Sequence, residues 1–231
     1  MEQGAVIVLA IAVVVMIALT SWWLREQRRA GWRDAAAQHG LAYDLHDPFG
    51  TLDLGFRLFG MGDGNGIENV IHGTLGDLHV RVFDFWYWVR RSDSKGMSHR
   101  DYERFCCAVV QVPLRSPHTS IERENLLTRL ADAIGFRDQE FESEEFNRRF
   151  QVSATDARFA SYLIDARMME WLMANGDDLG IELLDDAALV ATGKMSPTAI
   201  GWLLDRAADF CAQIPRVARD VYGASSGAAD A

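Results

Sequence analysis

This chain of 231 residues contains few lysines and cysteines, and it has no net positive charge. Lys95 and Lys194 are the only lysines among 23 basic residues, and this arginine excess indicates a GC-rich coding sequence and hence a bacterial source. The formal net charge is −10, which argues against a protein whose whole surface binds nucleic acid. Hydrophobic residues make up 49% and charged residues 24%, so a largely disordered chain is also excluded.

The three cysteines, Cys106, Cys107 and Cys211, are too few and too irregularly spaced for the disulfide framework of a secreted scaffold. The adjacent pair lies in an apolar, strand-like run, in which neighbouring side chains point to opposite faces of a sheet. We therefore expect small buried side chains at both positions. The alternative is a redox or metal-binding pair.

A long uncharged run occupies the N-terminus, from Gly4 to Leu24. As a helix it would be about 31 Å long, close to the ~30 Å hydrocarbon core of a bilayer. Glu2 precedes the run and the bulky Trp22 and Trp23 lie at its end, which argues against a cleaved signal peptide. A buried helix of a soluble domain is a further alternative, but such a helix would carry a polar face. The run therefore predicts a single transmembrane helix.

A basic collar of four arginines, Arg25, Arg28, Arg29 and Arg33, follows the run. Because positive flanks stay on the cytoplasmic side, the collar predicts a protein of the cell membrane with its N-terminus outside and its C-terminal domain in the cytoplasm. Residues 1–33 would form the transmembrane anchor with its collar, 34–223 a cytosolic α+β domain and 224–231 a disordered tail. The membrane-interface residues expected are Trp22, Trp23, Arg25, Arg28, Arg29 and Arg33.

Beyond the collar, apolar alternation predicts strands and 3.6-residue periodicity predicts helices. Two strands, 67–75 and 78–89, are expected to form a hairpin, and a third, 103–112, to end before Pro113 and Pro117. The fold class predicted is α+β, with one N-terminal transmembrane helix plus a mostly antiparallel sheet packed with helices. The other expected elements are a helical stalk at 24–39, a strand at 41–45, helices at 124–134, after Thr155 or Asp156 and after Asp165, a hairpin of strands 181–185 and 187–193, and a helix from Ser196 that bends at Pro215.

Several runs of this layout resemble one protein family. They are the N-terminal apolar run with its arginine collar, ENVIHG at 68–73, VRVFDFWYW at 80–88, RFCCAVVQVP at 104–113 and SIERENLLTRLADAIGF at 120–136. The pattern, from about Gly4 to Gly223, is similar to a family of bacterial single-span membrane proteins built on a domain of unknown function. The resemblance implies a membrane module with a cytosolic α+β domain, and it implies no activity, substrate or functional residue.

The strand VFDFWYWV is the best binding candidate, because both of its faces carry aromatic residues. Phe83 and Phe85 are expected to be core, since they alternate with Asp84, whose burial without a partner would be costly. Trp86 and Trp88 would then share the more accessible face with Asp84 and bind a peptide, a lipid or a neighbouring membrane protein. The alternative is a central strand covered by helices on one side and by the preceding glycine-rich loop on the other.

No motif in the chain indicates catalysis or a metal. The G-x-S-x-G match at 223–227 lies in the polar tail, where a nucleophile elbow would lack its strand and helix. The glycine-dense segment 59–66 lacks the residues of a phosphate or calcium loop, so it is interpreted as a flexible turn, with a ligand loop as the alternative. His72 and His79 flank the hairpin turn and would need one of the paired cysteines to bind zinc. Adjacent acidic residues are interpreted as solvated turns.

The function predicted is a membrane-tethered cytosolic interaction or scaffold module without an evident catalytic site. Tethering would raise the effective concentration of a weak binder near its partners. The alternatives are a small-molecule or lipid-binding sensor and, as a third reading, an enzyme with an unrecognised site. The expected partners are the membrane and a protein, without nucleic acid, and no cofactor or metal is expected.

Overall fold

The structure is a computed structural model that describes residues 2–93, 96–123 and 137–223, and in these ranges it is an α+β fold around one antiparallel sheet. The helix predicted at 124–134 and the tail 224–231 lie outside the described residues. The helices are α1 (Glu2–Gln38), α2 (Glu144–Arg149), α3 (Ala157–Leu163), α4 (Ala166–Asn175), α5 (Ile200–Gln213) and α6 (Arg216–Tyr222). The strands are β1 (Ala42–Asp44), β2 (Gly64–Leu75), β3 (Leu78–Ser92), β4 (Ser98–Glu122), β5 (Arg137–Gln139), β6 (Gln151–Ala154) and β7 (Gly180–Gly193).

Strand β4 is the centre of the sheet, whose order is β1-β2-β3-β4-β6-β5 with β7 on the other edge of β4. The first half of β4, up to Val110, pairs with β3, and its last residues, from Thr119, pair with β6. Pro113 and Pro117 fall between these two pairings, so their missing N–H groups cost no ladder hydrogen bond on that edge. The prediction that the prolines end the strand is wrong for this reason.

Strand β7 is continuous where the sequence predicts a hairpin of 181–185 and 187–193. Asp185 has a left-handed φ of 51°, and its carbonyl accepts a hydrogen bond from Ser116 Oγ at 3.0 Å. The register between β4 and β7 shifts at this pair, so Asp185 forms a bulge within the strand. A positive φ at an acidic residue is compatible with a hairpin turn and with a bulge, and the pairing with β4 selects the bulge.

The sheet is buried on both faces. On one face, Trp32 of α1 and Phe210 of α5 belong to a large cluster formed with the helices. On the other face, Phe59 from a 3-10 turn packs against Phe83 and Phe85 of β3. The loop of residues 49–63 therefore covers the face of Phe83 and Phe85, whereas Trp86 and Trp88 on the opposite face are only partly buried.

The second half of α1 is part of the core. The helix is continuous from Glu2 to Gln38, and Trp32 is 0% exposed, with Ala35 and Ala36 buried beside it. Gly40 follows the helix with a φ of 66°, the left-handed conformation that ends many helices. The predicted stalk is therefore an element that packs on the sheet.

The prediction of a transmembrane helix is wrong. Among the helices that the structure describes, none is both long and apolar enough to span a bilayer. The sequence interpretation treated the uncharged run as a separate span, whereas the run continues without a break into the charged segment that packs on the sheet. The predicted location, at the cell membrane with the N-terminus outside and the domain in the cytoplasm, is wrong with it. The fold is α+β with a mostly antiparallel sheet.

Two truncated chains separate the roles of the two halves of α1. A chain that starts at Arg25 keeps Arg28 and Trp32, so it should unfold cooperatively with nearly the stability of the full chain. A chain that starts at Asp34 lacks the buried Trp32, whose loss alone costs about 3–5 kcal/mol in a core. Urea denaturation followed by circular dichroism measures the difference. Equal stability of the two truncated chains would contradict the packing role of α1 and would favour the predicted boundary after residue 33.

Candidate functional site

A cleft of about 510 Å³ lies between α1 and the sheet. It is lined on one side by Arg25, Arg28 and Arg29, and on the other by residues that include Asp84 and Trp86 of β3. Sequence reasoning placed the arginines in a basic collar and the β3 residues on a binding strand. The structure brings these two sets of residues into one site.

Arg28 ties α1 to the sheet through a buried carboxylate. Its Nε and Nη2 donate to the Asp84 carboxylate at 2.9 and 2.5 Å, and its Nη1 donates to the Met195 carbonyl at 3.0 Å. Asn69 also donates to this carboxylate, at 2.9 Å, and accepts a hydrogen bond from the Tyr43 hydroxyl at 3.0 Å. Asp84 is 6% exposed, so a two-pronged arginine contact matches a charge that would otherwise be buried alone.

The same pair keeps the arginine charged. Burial acts to lower the pKa of Arg28, but the hydrogen bond and the negative charge of Asp84 outweigh burial and raise this pKa above its usual value. The penalty that the sequence analysis assigned to an unpaired Asp84 is therefore avoided by pairing, while the residue itself stays buried.

Two glycines of β2 pack against the tryptophans of β3. Gly66 is opposite Trp86, and Gly64 is opposite Trp88 in the β2–β3 register. A Cβ at Gly66 would lie 2.6 Å from Cζ2 of Trp86, and one at Gly64 would lie 2.6 Å from Nε1 of Trp88. Neither indole could keep its position over a residue with a side chain. The end of the glycine-dense segment is thus strand rather than turn, and its glycines are packing surfaces for aromatic rings.

The two tryptophans have different surroundings. Trp86 lines the cleft together with Tyr102, and their ring centroids are 5.9 Å apart. Trp88 is half-buried under Arg100, whose guanidinium carbon lies 4.4 Å from the ring centroid, and it does not line the cleft. The predicted binding residues Asp84 and Trp86 therefore share one site with each other but not with Trp88. A binding role for these three residues stays a prediction.

Sequence reasoning missed the other residues of the cleft, among them Asn69, Tyr102, Arg104 and Lys194. The β3–β4 register places Arg104 opposite Trp86, so correct pairing of the two strands would have found it. Lys194 is beside the cleft because Arg28 binds the carbonyl of the next residue, Met195. No local sequence signal indicates that contact.

The remaining members of the predicted membrane-interface set lie outside the cleft. Trp22 and Trp23 are exposed. Arg33 forms an ion pair with Glu26 at 3.0 Å and lies over the ring of Tyr43 at 5.6 Å. Their membrane-interface role stays a prediction.

Residues 11–20 of α1 present an apolar surface on all sides. Every residue from 11 to 20 is exposed, and Val14, Met16 and Ile17 are each more than half exposed. Leu24 lies at the end of this segment and also lines the cleft. The apolar surface and the cationic cleft are therefore adjacent on the molecule.

A second polar cluster lies beneath a 3-10 turn at Arg57–Gly60. The carboxylate of Glu182, which is 1% exposed, accepts hydrogen bonds from the backbone N–H groups of Arg57 at 2.8 Å and Leu58 at 3.1 Å. Nε2 of His118 lies 3.0 Å from the same carboxylate. Because these contacts engage both carboxylate oxygens, we interpret Glu182 as an anchor of the turn on the sheet.

Glu122, at the end of β4, is another buried acid. It is 9% exposed, and its Oε1 is buried without a hydrogen-bond partner. Burial raises the pKa of Glu122 to about 7, the charge of Arg57 opposes the shift, and the charge of Glu182 adds to it.

The cysteines and histidines do not form a metal centre in the part of the chain that the structure describes. Cys106 and Cys107 are buried in opposite clusters, and burial raises the pKa of both thiols, which confirms the interpretation as small buried side chains. Nε2 of His72 lies 2.9 Å from Asp44, and Nδ1 of His79 contacts Thr74 at 3.3 Å. The G-x-S-x-G match extends into the tail outside the described residues.

Comparison with known proteins shows a fold relationship. No family model and no curated protein matches the chain. Among solved structures, the chain is similar to the mycobacterial trehalose monomycolate transport factor A, TtfA, at 16% sequence identity and a TM-score of 0.56. The likeness covers 81% of this chain and 90% of that chain. Identity this low shows a common fold alone, and the resemblance to a family of single-span membrane proteins stays a prediction.

Replacement of Arg28 tests the tie between α1 and the sheet. Arg28→Ala should lower the free energy of unfolding by about 3–5 kcal/mol, because it leaves the Asp84 carboxylate buried without its cation. Arg29→Ala is the matched control, since Arg29 forms a looser ion pair with Glu26 at 3.6 Å, and its loss should cost less than about 1 kcal/mol. Urea denaturation near neutral pH measures both. Similar losses for the two variants would refute the assigned role of Arg28.

Glu122→Gln tests the buried acid through its pH dependence. The pKa of Glu122 is higher in the folded chain than in the unfolded chain, so its contribution to stability is lost as the pH rises through about 7. Relative to the native chain, the glutamine variant should therefore gain stability between about pH 5 and pH 8, by up to about 3 kcal/mol. Thermal or urea unfolding across this range measures the gain. A pH-independent difference between the two proteins would show that Glu122 does not titrate in this way.

Proposed function

We propose that the protein is a non-catalytic interaction module that serves the transport of a lipid, and that it docks a protein partner on the apolar segment of α1, residues 11–24. The observation that carries this proposal is the exposure of that segment. Its partner is expected to offer an apolar surface built from helices.

The size and shape of the segment favour a protein partner. Fourteen residues of helix are about 21 Å long, and a contiguous apolar surface of this extent on a folded protein marks an interaction site. The segment is apolar all round, whereas a helix that docks in a single groove needs only one apolar face. A partner that covers it must therefore contact more than one side, as the helices of a bundle do.

Transport of a lipid is suggested by the fold relationship. The similar structure carries the name of a trehalose monomycolate transport factor, and the likeness extends over most of both chains. Fold similarity by itself does not carry function. The exposed apolar segment adds an independent reason to expect a role in an assembly.

A binding role is also favoured over catalysis by the chemistry of the cleft. Among the described residues that line it, the polar groups are arginine, lysine, asparagine, tyrosine and two acids, one of them held by Arg28. No serine, cysteine or histidine is among these residues, so a nucleophile with an adjacent imidazole base is missing from this set.

A photo-crosslinking residue at Met16 tests the docking surface in the source organism. Met16 is 61% exposed, so the replacement should not disturb the fold. We expect an adduct with a second protein that is absent when the same residue replaces Asp205, an exposed position on α5. Depletion of the captured protein and depletion of this one should cause the same shift in the distribution of a metabolically labelled lipid among cell fractions.

A matched pair of variants links the surface to the role. Val14→Asn/Ile17→Asn should fail to restore the lipid distribution in a depleted strain, whereas Val217→Asn/Val221→Asn, the same kind of change at exposed positions of α6, should restore it. An adduct only with a second copy of this chain would overturn the proposed partner. An unchanged lipid distribution after depletion would overturn the role in transport.

A further inference from the structure

The cleft between α1 and the sheet concentrates positive charge in an acidic protein. Five of its lining residues are cationic and two are acidic, although the whole chain carries a net charge of −10. One of the two acids, Asp84, is already matched by Arg28. The other, Glu68, lies 3.5 Å from Arg104. The other cations of the cleft are Arg25, Arg29 and Lys194.

These remaining cations are poorly compensated within the described part of the chain. Arg25 and Lys194 make no hydrogen bond or ion pair there. Arg29 makes a loose ion pair with Glu26, which Arg33 also contacts at 3.0 Å. Arg25 and Arg29 are four residues apart on one helix face, and like charges at this spacing destabilise a helix. An anion bound between them would remove that repulsion.

The geometry of the cleft adds selectivity to its charge. Arg28 is fixed by Asp84 and by the Met195 carbonyl, so the neighbouring arginines extend from a helix whose position is set. Guanidinium groups match the oxygens of a phosphate in a two-pronged contact, and an ammonium group adds a compact charge. Trp86 and Tyr102 form an aromatic wall that can pack against the apolar part of a ligand.

We propose that this cleft binds a phosphate oxyanion through Arg25, Arg29 and Lys194, with the remainder of the ligand against Trp86 and Tyr102. Arg28 is a positioning residue, because its donors are already engaged by Asp84 and the Met195 carbonyl. The phosphate belongs either to a soluble phosphate ester or to a lipid headgroup. The inference is independent of the proposed partner, since the cationic and aromatic residues that carry it lie outside residues 11–24.

Calorimetric titration of the full chain in a neutral detergent tests the site. The probes are inorganic phosphate, phenyl phosphate, dihexanoyl phosphatidic acid and, as the uncharged counterpart of the last, dihexanoylglycerol. Arg25→Gln/Lys194→Gln should weaken binding of the phosphate esters by about tenfold or more, since two charge-assisted contacts are lost. Because neither side chain has a partner in the described chain, thermal unfolding should confirm that this variant is folded.

Arg167→Gln/Arg216→Gln is the matched control, which removes the same charge from α4 and α6 and should leave the affinity within about twofold of the native value. Tighter binding of the phosphatidic acid than of phenyl phosphate would identify a lipid headgroup, and the reverse order would identify a soluble ester; both outcomes support the site. The proposal is overturned by equal affinities of the two double variants, by dihexanoylglycerol binding as tightly as phosphatidic acid, or by no binding of any phosphate probe.

Discussion

The ion pair between Arg28 and Asp84 determines how α1 meets the sheet. A carboxylate that is 6% exposed needs a matching charge, and the cation comes from a helix 56 positions earlier in the chain. Asn69 completes the contact from a bulge in β2, where its φ is 57°. One turn further along α1, Trp32 is buried against the same face. The polar tie and the apolar contact together fix the helix on the sheet and leave the cleft beside them.

Packing on both faces of β3 explains the composition of that strand and of its neighbour. One face packs Phe83 and Phe85 beneath the loop that precedes β2, and Glu182 holds that loop on the sheet. The other face carries Trp86 and Trp88, which lie over glycines because the rings would collide with any Cβ there. The glycine-dense segment thus serves packing. This is why the aromatic strand is a framework for the cleft and only partly its lining.

Two surfaces of different chemistry adjoin at the end of α1. One is the apolar segment 11–24, and the other is the cationic cleft, with Leu24 common to both. Neither is explained by the folding of the described chain, because the apolar side chains are exposed and Arg25 and Lys194 are unpaired there. By contrast, the buried cysteines and Glu182 are accounted for by packing and hydrogen bonds. The two exposed surfaces are therefore where binding is expected.

The sequence alone determined the elements that depend on near neighbours: the alternation of Phe83 and Phe85 with Asp84, the turn at Gly76 and the helix cap at Asp165. It also singled out Asp84 and Trp86, which line the cleft, and marked the arginines as a group. It could not place Arg28 on Asp84, carry β4 through its prolines, keep β7 continuous or bring Lys194 to the cleft. It also took the N-terminal run for a membrane span. Periodicity, turns and caps are set within a few residues, whereas these outcomes depend on which distant segments pair and pack, and only the tertiary structure decides that.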